Sequence, residues 1–472
     1  MQNNSQYKQD EFVIKTLNGK RDGFFLEIGS TDGIDINNTY ILEKDYNWNG
    51  ICIEPNKTVF NKLKENRKCT CLCEVIDNKE HDVFFKTNSD WSQITQDTSA
   101  DNTELRHTST VNSILKKYNA PLVIDYLSID CEGNELSILK SINFDVYDIH
   151  IITVEHNAFF SGDEYKNKIR NYLENKGFVF IKTNSKNNKH PDWVENIDDF
   201  YIHKTLFKSN DSILVPNSVI FYLVNNNPTH LRRLYSSLEC LKKNFLNKYP
   251  YPVVFGHEGI DQNVIDEISQ LLNGNCHFYN VNFKLPNYNT DITNKIPERF
   301  KGHWDEFAFF SLGYRHMCRF FAGDIFNHSF FNNVKYLLRL DCDSYFTDII
   351  PVDFFKQMVI NNYQYGYISE QVDMDYVIEG LPDFCKTYFN SRGIYNDSVK
   401  YNGMFETNFE ILNFQWFKNS EYMNFYNQIE RTGNIYIKRW GDAPIKYQGV
   451  KYLIPDSAVY KISIPYKHGG DI

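Results

Sequence analysis

An α/β fold in two domains is what the sequence predicts, and three observations carry it. Apolar runs that end in acids alternate with helical patterns at the pace of βαβ units, which builds mostly parallel sheets. The chain has 472 residues, more than one hydrophobic core ordinarily serves. A polar stretch closing on a proline, residues 206–217, separates two such series. The expectation is two Rossmann-like domains, 1–205 and 218–472, joined by that linker.

Composition narrows the function classes. With 42% hydrophobic and 23% charged residues, 32 Tyr and 37 Phe, the chain is globular rather than disordered. A formal net charge of -10 leaves no basic surplus for nucleic acid. The ten cysteines are scattered and fit a reducing compartment. Cys69, Cys71 and Cys73 alternate, which reads as one buried strand face rather than a metal knuckle. Residues 1–10 are polar and contain no apolar signal core. No window approaches 18 apolar residues, so no transmembrane segment is expected. A soluble, cytoplasmic protein is the expectation.

In the first domain, Gly23 to Gly33 is an apolar strand followed by a tight turn with the spacing E-x-G-x-x-x-G, on Glu27, Gly29 and Gly33. Glycine there lets the backbone approach a ligand. About twenty residues on, Gly50 to Pro55 is a second strand ending in Glu54, placed to take ribose hydroxyls. The turn is not G-x-G-x-x-G, which favours a mononucleoside such as S-adenosylmethionine over a dinucleotide. Asn38 to Asp45 and Phe60 to Arg67 read as crossover helices. Leu122 to Gly133 is a buried strand ending in Asp130 and Glu132, followed by a helix over Asn134 to Ser141. Ile149 to Asn157 is another, ending in Glu155 and His156. Methyl transfer to a hydroxyl needs positioning and a base, and Asp130, Glu155 and His156 are the candidates. A hydrogen-bonded structural histidine is an equal reading of His156.

These strings resemble the FkbM family of S-adenosylmethionine-dependent methyltransferases. The pieces are Phe25-Leu26-Glu27-Ile28-Gly29, Asp32-Gly33, Asn38-Thr39-Tyr40, Trp48-x-Gly50-x-Cys52-Ile53-Glu54-Pro55, Asp125 to Gly133, and Val154-Glu155-His156-Asn157, in order. The resemblance implies a class I methyltransferase sheet and O-methylation, commonly of sugar hydroxyls. Glu27, Gly29 and Gly33 would line the cofactor turn, Glu54 would hold the ribose, and Asp130 and Glu132 would face the reaction centre.

The second domain opens on the strand Val219 to Val224. Asn225 to Thr229 turns it into a helix with Leu231, Leu234, Leu238 and Leu241 on one face. Tyr314 to Gly323 mixes bases and aromatics, and Arg315 and Arg319 share a helix face. They suit either a diphosphate or a structural pairing with carboxylates. Tyr336 to Leu340 is a buried strand, and Asp341 and Asp343 follow it. Strand alternation would point both the same way, where open α/β sheets bind ligands. The pair suits a divalent cation holding phosphate oxygens, or is a polar turn with two acids.

Tyr314-Arg315-His316-Met317-Cys318-Arg319-Phe320, Asn408-Phe409-Glu410-Ile411, Arg439-Trp440-Gly441-Asp442-Ala443-Pro444 and a late Tyr-x-His make this domain similar to the fungal GDP-mannose α-1,2-mannosyltransferases, glycosyltransferase family fifteen. The resemblance implies a GT-A-like fold, retention at the anomeric carbon, GDP-mannose as donor and Mn2+ as cofactor. Asp341 stands at the place of the family's metal-contacting Glu, Asp343 follows, and His468 matches its metal-binding His. Glu410 matches the candidate nucleophile, Tyr314 a donor-site Tyr, and Asp442 would orient the acceptor. The sequence departs from the family at Asp341-Cys342-Asp343, at Asn225 in the place of an Arg, and at Met404-Phe405-Glu406-Thr407. The family is anchored in the secretory pathway. Without an anchor, a cytosolic or viral setting is expected.

The combined expectation is a bifunctional glycan-modifying transferase with a GDP-sugar donor and a glycan or glycoprotein acceptor. A second reading keeps one half catalytic and makes the other a carbohydrate- or nucleotide-binding module.

Overall fold

The computed structural model describes residues 4–87, 92–96, 102–185, 194–209, 213–286 and 311–471. Residues 210–212 of the expected linker and 186–188 of an Asn-rich stretch lie outside them. The chain divides into two compact units, Met1–Ile213 and Leu214–Ile472.

In unit 1 the strands in chain order are β1 Phe24–Ile28, β2 Asn49–Ile53, β3 Thr70–Leu72, β4 Val75–Ile76, β5 Asp82–Thr87, β6 Ser92–Thr95, β7 Thr103–Ser109, β8 Val123–Ile129, β9 Asp148–Glu155, β10 Phe178–Thr183 and β11 Asp198–His203. Seven form one sheet in the order β10-β11-β9-β8-β1-β2-β3. β9, β8, β1, β2 and β3 run parallel, while β11 lies antiparallel to both its neighbours. The strand order reverses between β1 and β8, so a crevice opens at their carboxyl ends. Leu26, Ile28, Ile51, Ile53, Leu127, Ile129, Ile152 and Val154 fill its core. A smaller four-stranded sheet, β4-β7-β5-β6, contributes Val75, Ile76, Phe85 and Ile94 to the walls of that crevice.

The crossover helices are Tyr40–Tyr46, Lys57–Asn66 and Glu135–Lys140. The second begins three residues earlier than its apolar pattern predicts, because Asn56 caps it by accepting from the N–H groups of Thr58 and Val59. Of the three alternating cysteines Cys71 lies in β3, the sheet's edge, and Cys69 and Cys73 flank it. Only Leu72 on the opposite face is buried, and Cys69, Cys71 and Cys73 are half-exposed, so the expectation of a buried cysteine face is corrected. All ten cysteines are free.

Unit 2 contains β12 Ser218–Val224, β13 Val253–His257, β14 Cys276–Asn280, β15 Tyr336–Leu340, β16 Ser344–Phe346, β17 Tyr365–Tyr367, β18 Glu370–Val372, β19 Gly403–Phe405, β20 Phe409–Asn413, β21 Val459–Lys461 and β22 Tyr466–His468. Its main sheet runs β14-β13-β12-β15-β20-β17-β21. β12, β13, β14 and β15 are parallel, and β20 is antiparallel to β15 and β17. The order reverses between β12 and β15, and again the crevice lies at their carboxyl ends. The core is aromatic: Phe221, Phe320, Phe321, Phe331, Phe414, Phe417, Tyr422 and Phe425 are all buried. Such rings bury large apolar areas and lock one another edge to face.

Candidate functional site

In unit 1 a cavity of about 330 Å³ lies at the carboxyl ends of β1, β2, β8 and β9. Gly29, Thr31, Glu54, Asp130, Glu132 and Glu155 line it. Gly29 sits at φ 88°, and a Cβ there would lie 1.9 Å from the Asp130 carbonyl oxygen. Only glycine lets the end of β1 pass this close to the end of β8. Glu54 accepts hydrogen bonds from the N–H groups of Thr31 (3.2 Å) and Asn56 (2.8 Å), which fix its carboxylate at the cavity edge. Burial pushes its pKa up to about 7, against the pull of those two bonds. Burial and then neighbouring carboxylates raise Asp130 and Glu155 well above the usual range.

Glu27 does not line this cavity. It is buried beneath the turn, accepting from Asn37 (2.9 Å), the Asn38 N–H (2.8 Å) and Thr39 (2.7 Å), with Arg67 at 3.8 Å. Its work is to hold the loop that leads into the first helix. Gly33 is packed against Leu63 and Arg67 rather than the cavity. His156 is likewise turned away. Its Nδ1 accepts from the Ala158 N–H at 3.1 Å and its Nε2 faces Asp199 at 3.2 Å, with both side chains fully buried. Of the three candidate bases, the structure brings Asp130 and Glu155 to the cavity and leaves His156 in the core.

In unit 2 a cavity of about 410 Å³ opens at the ends of β12 and β15. Asn225, His230, Arg233, Tyr314, Met317, Phe321, Arg339, Asp341 and Asp343 line it. β15 ends at Leu340, and the Ser344 N–H donates to the Asp341 carbonyl at 3.0 Å. Asp341 to Ser344 is therefore a turn. From this turn, rather than from the strand itself, Asp341 and Asp343 both reach the cavity. Asp341 Oδ1 meets Arg339 Nε at 3.2 Å. Asp343 meets His468 Nε2 at 3.2 Å and Arg233 Nη1 at 3.4 Å. The pairing of β16 with β22 brings His468 there, opposite Ser344. The hydrogen bond to His468 lowers the pKa of Asp343. Burial works against charge on His468, yet Asp343 and then Asp341 raise its pKa.

Arg339 is a buried residue of the cavity lining and gathers three acids. Its Nη1 donates to Asp442 Oδ2 at 2.6 Å and lies 3.6 Å from Glu410 Oε1, while its Nε serves Asp341. The β15–β20 register sets Arg339 beside Glu410. Glu410 is 1% exposed, and Lys446 Nζ stands 3.6 Å from its other oxygen. Burial, opposed by Lys446 and Arg339, pushes the pKa of Glu410 up.

The family model described as glycolipid 2-alpha-mannosyltransferase matches residues 167–471, well over half of the 472-residue chain. The chain belongs to this family. The model described as the methyltransferase FkbM domain matches residues 27–180. Among this mannosyltransferase-family member's relatives, the probable mannosyltransferase YUR1 of Saccharomyces cerevisiae is 27% identical over 306 residues, 57% of this chain and 70% of that one. The probable mannosyltransferase MNT3 of Candida albicans is 26% identical over 241 residues, 48% of this chain and 63% of that one. The crystal structure of core-mannan synthase A from Aspergillus fumigatus in its Mn/GDP form is 22% identical, with a TM-score of 0.47 over 53% of this chain and 74% of that one. The chain thus spans roughly two thirds of the length of the curated relatives it matches.

Several residues singled out from sequence lie off the family member's cavity. Arg319 donates to Glu430 (2.6 Å) and to Asp324 (3.1 and 3.2 Å). Arg315 is fully buried, its pKa pulled down to about 10 by burial and by Arg439. Both belong to the helix Leu312–Ala322, which shows Tyr314, Met317 and Phe321 to the cavity instead. The diphosphate expectation for the pair is corrected to internal packing. Glu410 and Asp442 lie beneath Arg339 and touch the cavity only through it. Sequence reading missed Arg233, Arg339 and Lys446. Arg339 carried a signal, a cation inside an apolar strand, because a buried charge is kept only with partners. No helix among the described residues is long and apolar enough to cross a membrane.

Proposed function

We propose that unit 2 transfers a mannosyl group from GDP-mannose to a glycan or glycoprotein acceptor, in α-1,2 linkage and with retention, and that unit 1 methylates a sugar hydroxyl with S-adenosylmethionine. The chain would then be a bifunctional glycan-modifying enzyme of two Rossmann-like domains, a class I methyltransferase sheet followed by a GT-A-like transferase. The observation that carries the transferase reading is the grouping of Asp343, His468 and Arg233 at one corner of the cavity.

A carboxylate and an imidazole 3.2 Å apart are the hard oxygen and borderline nitrogen donors that a Mn2+ ion accepts. Asp343 and His468 would hold it, and Asp341 joins the set if it leaves Arg339. A bound Mn2+ would neutralise the departing diphosphate. Arg233 adds a positive charge on the same side. Tyr314 and Phe321 line the cavity, with the Arg439 and Arg339 guanidinium groups over their rings. Glu410 acts as a positioning residue: with Asp442 it fixes Arg339 and the charge of the cavity floor.

In unit 1 the glycine turn and the Glu54 carboxylate suit the adenosyl part of S-adenosylmethionine. Bound there, it supplies a sulfonium methyl whose carbon–sulfur bond breaks with the electron pair on sulfur. Asp130 or Glu155, its pKa raised by burial and neighbouring carboxylates, would take the acceptor hydroxyl's proton.

The test is a screen of GDP- and UDP-sugars with and without Mn2+, read by nucleotide release, beside calorimetry with S-adenosylmethionine. Mn2+-dependent turnover of GDP-mannose that Asp343→Asn abolishes is expected. Turnover of no sugar nucleotide would remove the transferase assignment. S-Adenosylmethionine binding indifferent to Glu54→Gln would remove the methyltransferase one.

A further inference from the structure

We propose that Asp130, Glu132 and Glu155 form a divalent-cation site in unit 1, built for a hard ion of the magnesium or manganese kind. The three side chains each bring a ligand oxygen within 4.8 Å of the others. Their arrangement follows from the sheet. β8 and β9 pair in parallel with Ile129 opposite Val154, so Asp130 and Glu155 leave neighbouring strand ends side by side. Glu132 comes from the turn just beyond β8.

The second observation is independent of that convergence. Glu155 is 8% exposed, lines the cavity, and its Oε2 has no hydrogen-bond partner among the described residues. A buried carboxylate oxygen without a donor costs free energy that a ligand would remove. The charge balance says which ligand. Among the described residues that line the cavity, Glu54, Glu74, Asp130, Glu132 and Glu155 are acidic and none is Lys, Arg or His. No base in the lining supports their ionised forms, and a bound cation would. The donors are all oxygens; the nearby Cys131 thiol faces the Ile28 carbonyl at 3.8 Å. That set favours a hard ion over zinc.

Three carboxylates leave an octahedral ion with open positions, which water or an acceptor's hydroxyls would fill. A hydroxyl bound there becomes acidic. With Asp130 and Glu155 engaged as ligands, water takes the proton in their place, the oxygen bonds the methyl carbon, and the carbon–sulfur bond breaks with both electrons left on sulfur. This catalytic role rests on the methyltransferase reading, whereas the cation site does not.

The experiment titrates the full chain with Mn2+ alone, read by electron paramagnetic resonance. It uses a His468→Ala, Asp343→Asn background, which removes ligands offered by unit 2. One Mn2+ per chain is expected, displaced by Mg2+, and weakened at least about tenfold by Glu155→Gln and by Glu132→Gln. Thermal melting reports folding, and Glu132, at the partly exposed rim, answers should Glu155→Gln fail to fold. No Mn2+ bound in the background chain, or binding indifferent to both substitutions, overturns the site. Calorimetry with S-adenosylmethionine separates the two ideas. Cation binding without cofactor binding upholds the site and removes the methyltransferase reading. Cofactor binding without cation binding does the reverse.

Discussion

Glu54→Gln should change the stability of unit 1 by an amount that depends on pH. Glu54 is 8% exposed, and burial lifts its pKa from 4.5 to about 7. The folded chain therefore holds this proton more tightly than the unfolded one. A raised carboxyl pKa means that ionisation opposes folding, so the penalty is small below pH 4.5, grows up to about pH 7, and is level above it. With one pKa unit worth about 1.4 kcal/mol, the penalty is about 3 kcal/mol at pH 8 and about 1 kcal/mol at pH 5. Glutamine carries no charge and escapes it. Whatever the substitution costs in hydrogen bonds to Thr31 and Asn56, the difference between variant and wild type should move by about 2 kcal/mol in favour of glutamine from pH 5 to pH 8. Urea unfolding at the two pH values, with unit 1 read by hydrogen exchange of the β2 amides, measures it. A difference that stays flat would refute the reasoning, and would mean that Glu54 is solvated and its pKa ordinary. Binding of an adenosyl ligand through hydroxyl donors should tighten over the same pH range, because the ionised carboxylate is the better acceptor.

Arg339→Met should cost unit 2 about 3–5 kcal/mol, since Asp442 and Glu410 then stay buried without their cation; a double-mutant cycle with Asp442→Asn should return a strong coupling in melting experiments. Arg319→Met should lower the melting temperature while leaving GDP affinity unchanged, and Arg233→Ala should weaken GDP binding about tenfold with little effect on melting, the two read by calorimetry and calorimetric scanning. Gly29→Ala should cost unit 1 about 2–4 kcal/mol, from positive φ and from the clash with the Asp130 carbonyl. The Asp343–His468 pair should stabilise unit 2 most in mild acid, where Asp343 is ionised and His468 protonated, and its share is lost again as pH falls through the lowered pKa of Asp343. His468 has a raised pKa, so its contribution is complete below 6.5 and fades as pH climbs through the raised value. Asp343→Asn should accordingly destabilise more at pH 6 than at pH 9, in metal-free buffer.

Much of this was already legible in the chain. Apolar runs set out β1, β2, β8, β9, β12 and β15, all but β12 with an acid at or near the close, because a strand buried on both faces is apolar along most of its length. The turn at Gly29, the Glu54 carboxylate, the Asp130–Glu155 pair, and Asp341, Asp343 and Tyr314 all lie at cavities, because the carboxyl ends of parallel strands converge on one edge of a sheet. Those are local properties, fixed by spacing. What local spacing cannot fix is which of several nearby polar groups faces the crevice and which is spent holding the fold. Glu27 and Glu54 both sit at strand ends, yet only the packing of Arg67 and the loop Asn37–Thr39 makes the first structural. Arg315 and Arg319 share a helix face with the right spacing for a diphosphate, but Arg319 is spent on Glu430 and Asp324 and Arg315 is fully buried. Asp343 acquires His468 only because β22 returns across 125 residues to pair with β16. The pairing of strands far apart in sequence decides whether a charged side chain meets a partner or solvent, and so whether it is scaffold or site.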